Sequence, residues 1–136
     1  MKRLVVASIL CLVASSCVWA IQPEVVGGVR DGLAVGIMGE QSIAKNAALR
    51  FGVEADTGKQ PLILFVEGKF HLTYLGKVPM ALAAGLVGYA GNESKFGLGL
   101  ALVFNRIFDV EPLFAEAGVD IADTGRIRAQ VGYKLY

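Results

Sequence analysis

Cysteine is almost missing from this 136-residue sequence: Cys11 and Cys17 are the only two, and both lie within the first twenty residues. Beyond them the chain has no disulfide framework, no thiol nucleophile and no cysteine-based metal site. An excess of one charge is missing too. Thirteen Lys and Arg face twelve Asp and Glu, and no basic run could track a phosphate backbone, so nucleic acid is excluded as a partner. After residue 20 no apolar run approaches the 18 or more residues that a spanning helix needs. Helical periodicity is nowhere sustained, and seventeen glycines would each weaken a helix that contained them.

What the chain does have begins at its N-terminus. Lys2 and Arg3 precede the apolar segment Leu4 to Val13, and Val18-Trp19-Ala20 ends on a small residue. This is the layout of a secretory signal cut after Ala20, too short and wrongly flanked for a membrane helix. Lipidation at Cys17 is the competing reading, but Ala14 stands where a lipobox wants Leu. The expected organisation is a signal over residues 1–20 and a single domain over 21–136. Without Lys2 and Arg3 the domain keeps eleven bases against twelve acids, a formal net charge of −1.

Within the domain, side chains alternate with period two, and in a strand successive side chains point to opposite faces. Leu49, Phe51, Val53 and Ala55 oppose Arg50, Gly52, Glu54 and Asp56. Leu64, Val66, Gly68, Phe70, Leu72 and Tyr74 oppose Glu67, Lys69, His71 and Thr73. Phe96, Leu98, Leu100, Leu102 and Phe104 oppose Gly97, Gly99, Ala101 and Val103, and the run Glu111 to Asp123 sets Leu113, Ala115, Ala117, Val119 and Ile121 against Phe114, Glu116, Gly118 and Asp120. Ile21 to Arg30 is a weak first run, Leu33 to Gly39 sets Leu33, Val35 and Ile37 against small Ala34 and Gly36, and Pro79 to Ala90 is apolar on both faces. Thr57-Gly58-Lys59, Leu75-Gly76-Lys77, Gly91-Asn92-Glu93 and Asp123-Thr124-Gly125 are turn signals. Asp31-Gly32 marks a first hairpin, and Glu40 to Lys45 reads as a polar connection with room for one helical turn.

The fold expected is all-β, an antiparallel up-and-down meander closed into a barrel of about eight strands, since closure removes exposed edges. Were Glu24 to Gly39 one strand, the count would be seven. The bulky apolar residues share one face throughout, while the other holds glycine, alanine and both signs of charge. That inverts what a soluble barrel needs. It predicts a transmembrane barrel, lipid outside and a narrow charged lumen inside.

The last strand, Gly125 to Tyr136, carries a further signal. Ile127, Ala129, Val131, Tyr133 and Leu135 alternate with Arg126, Arg128, Gln130, Gly132 and Lys134 before a final aromatic. This ending, with Tyr133 and Tyr136, resembles the C-terminal assembly signal of bacterial outer-membrane barrels. The pattern of the whole domain resembles the small outer-membrane β-barrel superfamily (the OmpA membrane domain, OmpX and opacity-type proteins), although its connections are shorter. The resemblance implies outer-membrane location, contact with its lipid, and passage through periplasmic chaperones and the barrel-assembly machinery. Aromatics near strand ends, Tyr74, Tyr89, Phe96, Phe104 and Tyr136, would form interfacial girdles.

The candidate site is the lumen charge set: Arg50, Glu54, Glu67, Lys69, His71, Glu116, Asp120, Arg126 and Arg128. Charges in a narrow lumen need partners to offset their desolvation. Arg126 and Arg128 are expected to draw on Glu116 and Asp120 from the preceding strand, and on Glu24 at most from the first. Paired carboxylates can also serve acid/base chemistry or metal binding, but ion pairing is the more economical use here. His71 could be a general base of the kind outer-membrane lipid A deacylases use, yet Ser42 and Ser94 lie in connections, unpaired to it by strand spacing. No catalytic residue, metal or cofactor is assigned, and Gly27-Gly28 lacks the helix that a phosphate loop requires. The expected role is structural and non-enzymatic. A soluble lipocalin-like barrel holding an apolar ligand, and a lipid-modifying enzyme of the outer membrane, are the alternatives.

Overall fold

The computed structural model describes residues 21–135, which form one closed antiparallel barrel. Its strands are β1 (Gln22–Val29), β2 (Leu33–Ala44), β3 (Ala47–Asp56), β4 (Leu62–Leu75), β5 (Val78–Ala90), β6 (Lys95–Asn105), β7 (Leu113–Ile121) and β8 (Gly125–Lys134). Each strand pairs with the next, and β8 closes on β1 from Glu24 opposite Lys134 to Val29 opposite Ala129. Eight strands leave no free edge, so every ladder finds its hydrogen-bond partners within the chain. The expected signal over residues 1–20, with Cys11 and Cys17, and Tyr136 of the expected assembly signal lie outside the described residues.

Meander topology gives the barrel two different rims. The turns β1–β2, β3–β4, β5–β6 and β7–β8 gather at one end, called here the turn rim. Both ends of the described chain and the other three connections gather at the opposite, termini rim. Asp31-Gly32 does turn the chain, which decides the count at eight rather than seven. Glu40 to Ala44, expected as a connection, instead continues β2 and pairs with β3 through Glu40 opposite Arg50 and Gln41 opposite Leu49. A polar composition suggested a loop there, but backbone pairing with β3 wins because these residues sit at the rim, where polar side chains reach water. In the β4–β5 turn Gly76 has φ +63°, a left-handed conformation that glycine adopts without steric cost.

Side chains divide between the two faces as alternation requires. Leu33, Val35, Ile37, Leu64, Val66, Leu86, Leu98, Leu100, Ile127 and Val131 are all exposed on the outer surface, with Phe96 at 82% and Ile127 at 74%. Inside, Arg30, Arg50, Glu54, Asp120 and Arg128 are each 0% exposed. The usual distribution of a globular protein is therefore inverted.

Glycine and alanine make that interior possible. Gly85 lies between Glu67 on β4 and Gly99 on β6, so the wall contributes no side chain there. A methyl group at Gly99 would stand 2.9 Å from Asp120 Oδ1 and 3.1 Å from Glu67 Oε1. The small residues are the space that the charged side chains occupy.

The charged lumen as candidate functional site

Three guanidiniums and four carboxylates, one or two from each contributing strand, meet at the centre of the barrel. Arg128 on β8 donates to Glu67 of β4 in a forked arrangement, its Nη2 reaching Oε2 at 3.1 Å, and to Glu116 of β7 from Nε at 2.9 Å. Arg50 on β3 donates to the other oxygen of Glu116 at 2.7 Å and approaches Glu67 at 3.5 Å. Arg30, just past β1, donates to Glu54 and to Asp120, each at 2.7 Å. Gln130 closes the ring by donating to Glu54 at 2.6 Å, and the Tyr89 hydroxyl donates to Asp120 at 2.6 Å. The planar fork of arginine suits such shared carboxylates better than an ammonium would.

Aromatic rings complete the surroundings. The Arg30 guanidinium lies 4.8 Å from the centre of the Phe65 ring and Arg128 lies 5.6 Å from the same ring. Arg50 stands 5.8 Å from Phe114, and Arg126 only 4.0 Å from Tyr89. A cation over a desolvated ring gains about 2 kcal/mol where geometry is good. Tyr89 thus belongs to the lumen and not to an interfacial girdle, being 1% exposed with its hydroxyl committed inward. Position 89 shares parity with the lumen residues Ala81, Ala83 and Val87, a fact hidden by the apolar character of β5 on both faces.

Six of the nine residues expected as a lumen network, Arg50, Glu54, Glu67, Glu116, Asp120 and Arg128, come together at this centre. The other three do not join it directly. Lys69 sits nearer the termini rim, donating to Glu40 at 2.6 Å, with Lys134 at 4.0 Å from the same carboxylate. Arg126 sits at the turn rim, where its partners are Asp123 at 3.2 Å and Asp31 at 3.5 Å. His71 stands apart: its ring meets Tyr74 edge-on at 5.1 Å, and no described side chain bonds to it. Ser94 lies in the β5–β6 turn, at the rim opposite to His71.

Two expectations about partners change. Glu24 pairs with neither Arg126 nor Arg128. Strand register places Gly28 opposite Gln130 and Glu24 opposite Lys134, so Glu24 lies toward the termini rim, 1% exposed, with both oxygens lacking a hydrogen bond. Arg30 takes the level that Glu24 was expected to fill, and its charge joins Glu54 and Asp120. It shares parity with Glu24, Val26 and Gly28, which was the available signal; its place at a strand end obscured it. The second partner of Arg128, Glu67, comes from across the lumen and not from a neighbouring strand. Sequence neighbours on a sheet are legible from turns, but contacts across a barrel depend on tilt and stagger.

At the turn rim, Asp56 accepts from the backbone N–H of Gly32 at 3.2 Å and ties the β1–β2 turn to β3. Residual desolvation pushes the Asp123 carboxyl upward, but its own N–H and that of Thr124, with Arg126 and Lys95, draw it below its ordinary value. The central ring, by contrast, is fully enclosed, with Asp120 Oδ1, Arg30 Nη2 and Arg50 Nε and Nη1 left without a hydrogen-bond partner. Its carboxylates are shared among guanidiniums, and no group of three or more candidate metal ligands exists among the described residues. Such an arrangement can fill and brace a lumen. Comparison of the chain with family models, with characterised proteins and with solved structures returns no match.

Proposed function

We propose that this protein is a small, non-enzymatic barrel of a bacterial outer membrane. It is delivered there by a cleaved N-terminal signal, and its lumen is closed by side chains. The single observation that carries the reading is the inversion of burial. Leu33, Val35, Ile37, Leu64, Leu86, Phe96, Leu98, Leu100 and Ile127 form a nearly continuous apolar exterior, while Arg30, Arg50, Arg128, Glu54 and Asp120 are wholly enclosed. Water is a poor solvent for the first set, and hydrocarbon a good one. Strands β2 to β8, of 9 to 14 residues, reach the length of tilted spanning strands, roughly 9–11 residues, and β1, with 8, falls one short.

A soluble lipocalin-like barrel would bury its large apolar residues around a ligand. Here the interior volume is taken by guanidiniums, carboxylates, the rings of Phe65, Tyr89 and Phe114, and the aliphatic side chains of Val26, Met38, Ile63, Val87 and Val103 packed among them. The role that follows is architectural: a compact rod of sheet whose interior cross-bracing holds its cross-section fixed within the envelope.

Membrane fractionation without detergent, followed by gel migration with and without boiling, tests this. The protein is expected in the outer-membrane fraction, and the unboiled barrel should migrate differently from the boiled chain. Recovery in the soluble periplasmic fraction, with migration indifferent to boiling, overturns it.

A further inference from the structure

The turn rim holds a second, separate assembly of charges. The four turns of that rim enclose a polar cavity of about 420 Å³, within the usual size range of small-molecule sites. Three bases (Lys59, Lys95 and Arg126) and three acids (Asp31, Glu93 and Asp123) line it. Arg126 forms its floor. The side chain is only 9% exposed and is stacked on Tyr89 at 4.0 Å. Its Nε and Nη2 are spent on Asp31, Asp123 and Gln60, but Nη1 is buried and has no hydrogen-bond partner. A buried guanidinium N–H left without an acceptor is costly and calls for one. Lys59 makes no ion pair among the described residues, and Lys95 holds Glu93 and Asp123 only loosely, at 3.8 Å each.

We propose that this vestibule binds a compact zwitterion with a phosphate at one end and a primary ammonium at the other, the chemistry of phosphoethanolamine. The phosphate takes the Lys59 and Lys95 ammoniums, replacing the loose contacts of Lys95, and gains the buried Arg126 Nη1 when that side chain turns it toward the cavity. The ammonium takes the Glu93 and Asp123 carboxylates that Lys95 releases. Both signs on the lining select a ligand that carries both: the bases meet a phosphate of about −1.5 to −2 at neutral pH and the carboxylates meet the ammonium, whereas a simple anion or cation leaves one wall unmatched. A primary amine is required because a trimethylammonium cannot donate hydrogen bonds to carboxylates. The site lies at the mouth and above the central ring, so it stands whether or not the exterior faces lipid.

The test is titration of the purified, folded wild-type barrel, followed through the backbone amide signals of Gly32, Gly58 and Thr124, with the remaining amides reporting the fold. Free phosphoethanolamine and lyso-phosphatidylethanolamine micelles are separate arms, set against phosphocholine and inorganic phosphate. Saturation by the free compound identifies a soluble source, and saturation by the lipid form alone identifies a headgroup; either upholds the site. Phosphocholine and inorganic phosphate are expected to bind at least about tenfold more weakly, as the loss of charge-assisted hydrogen bonds implies. Lys59→Gln, an exposed turn substitution that leaves the barrel intact, should weaken binding by about the same factor. Absence of saturation in both arms overturns the proposal. So does equal binding of inorganic phosphate or phosphocholine, or an affinity unchanged in Lys59→Gln.

Discussion

Removing the Arg128 guanidinium tests the lumen network at its most connected point. Arg128→Met keeps the length and apolar stem of the side chain but deletes the forked contact to Glu67, both contacts to Glu116 and the 3.8 Å approach to Asp120. The carboxylates do not suffer equally. Glu116 keeps Arg50 at 2.7 Å and Asp120 keeps Arg30 at 2.7 Å. Glu67 is left with Arg50 at 3.5 Å and Arg30 at 4.0 Å, neither a strong hydrogen bond, while its side chain stays fully enclosed. Orphaning one partner of a buried pair costs about 3–5 kcal/mol. At a slope of about 2 kcal/mol per molar urea, the unfolding midpoint should fall by roughly 2 M. The assay is urea unfolding of the detergent-folded barrel followed by far-ultraviolet circular dichroism. Tryptophan emission cannot serve, because Trp19 is the only tryptophan and lies in the expected signal. The decisive observation is the sign of the double variant. Arg128→Met with Glu67→Gln should be more stable than Arg128→Met alone, because the second change removes the orphaned charge. A single-variant midpoint within about 0.5 M of wild type, or a double variant less stable than the single, would mean that these carboxylates are hydrated. The closed-lumen argument would then fail.

Three further outcomes follow from the same geometry. Leu100→Arg, at the middle of β6 on the exterior, should cost about 2–4 kcal/mol of folding stability in lipid, whereas Leu100→Phe should be nearly neutral; folding yields into vesicles compare them. Gly99→Val should cost about 1–3 kcal/mol through overpacking, because its side chain would displace Asp120 and Glu67 from Arg128; thermal melting of the folded barrel measures it. Gly76→Val should destabilise by about 1–2 kcal/mol, since a β-branched residue must adopt φ +63° in the β4–β5 turn, while Lys77→Val beside it should change little; paired urea midpoints separate the two.

Period-two alternation alone determined much of this molecule. It located β3, β4, β6, β7 and β8, and it divided their residues between exterior and lumen with a parity that the structure keeps up to His71 in β4, where a bulge shifts the register and exchanges the faces expected for Thr73 and Tyr74; elsewhere strand geometry leaves a side chain only two directions. The turn at Gly76 likewise follows from local sterics, and Asp31-Gly32 marked its turn without needing a left-handed glycine. Where local cues were weak, the reading slipped. Glu40 to Ala44 looks like a connection until β3 offers it a ladder, and β5, apolar on both faces, concealed Tyr89. Contacts across the lumen were beyond any local rule. That Arg128 meets Glu67 from β4, that Arg30 replaces Glu24 at the centre, and that four guanidiniums each lie over an aromatic ring depend on the tilt and stagger of eight strands. Those quantities arise only when β8 closes on β1, and that closure brings together residues whose separation along the chain, 61 for Arg128 and Glu67, carries no trace of their contact.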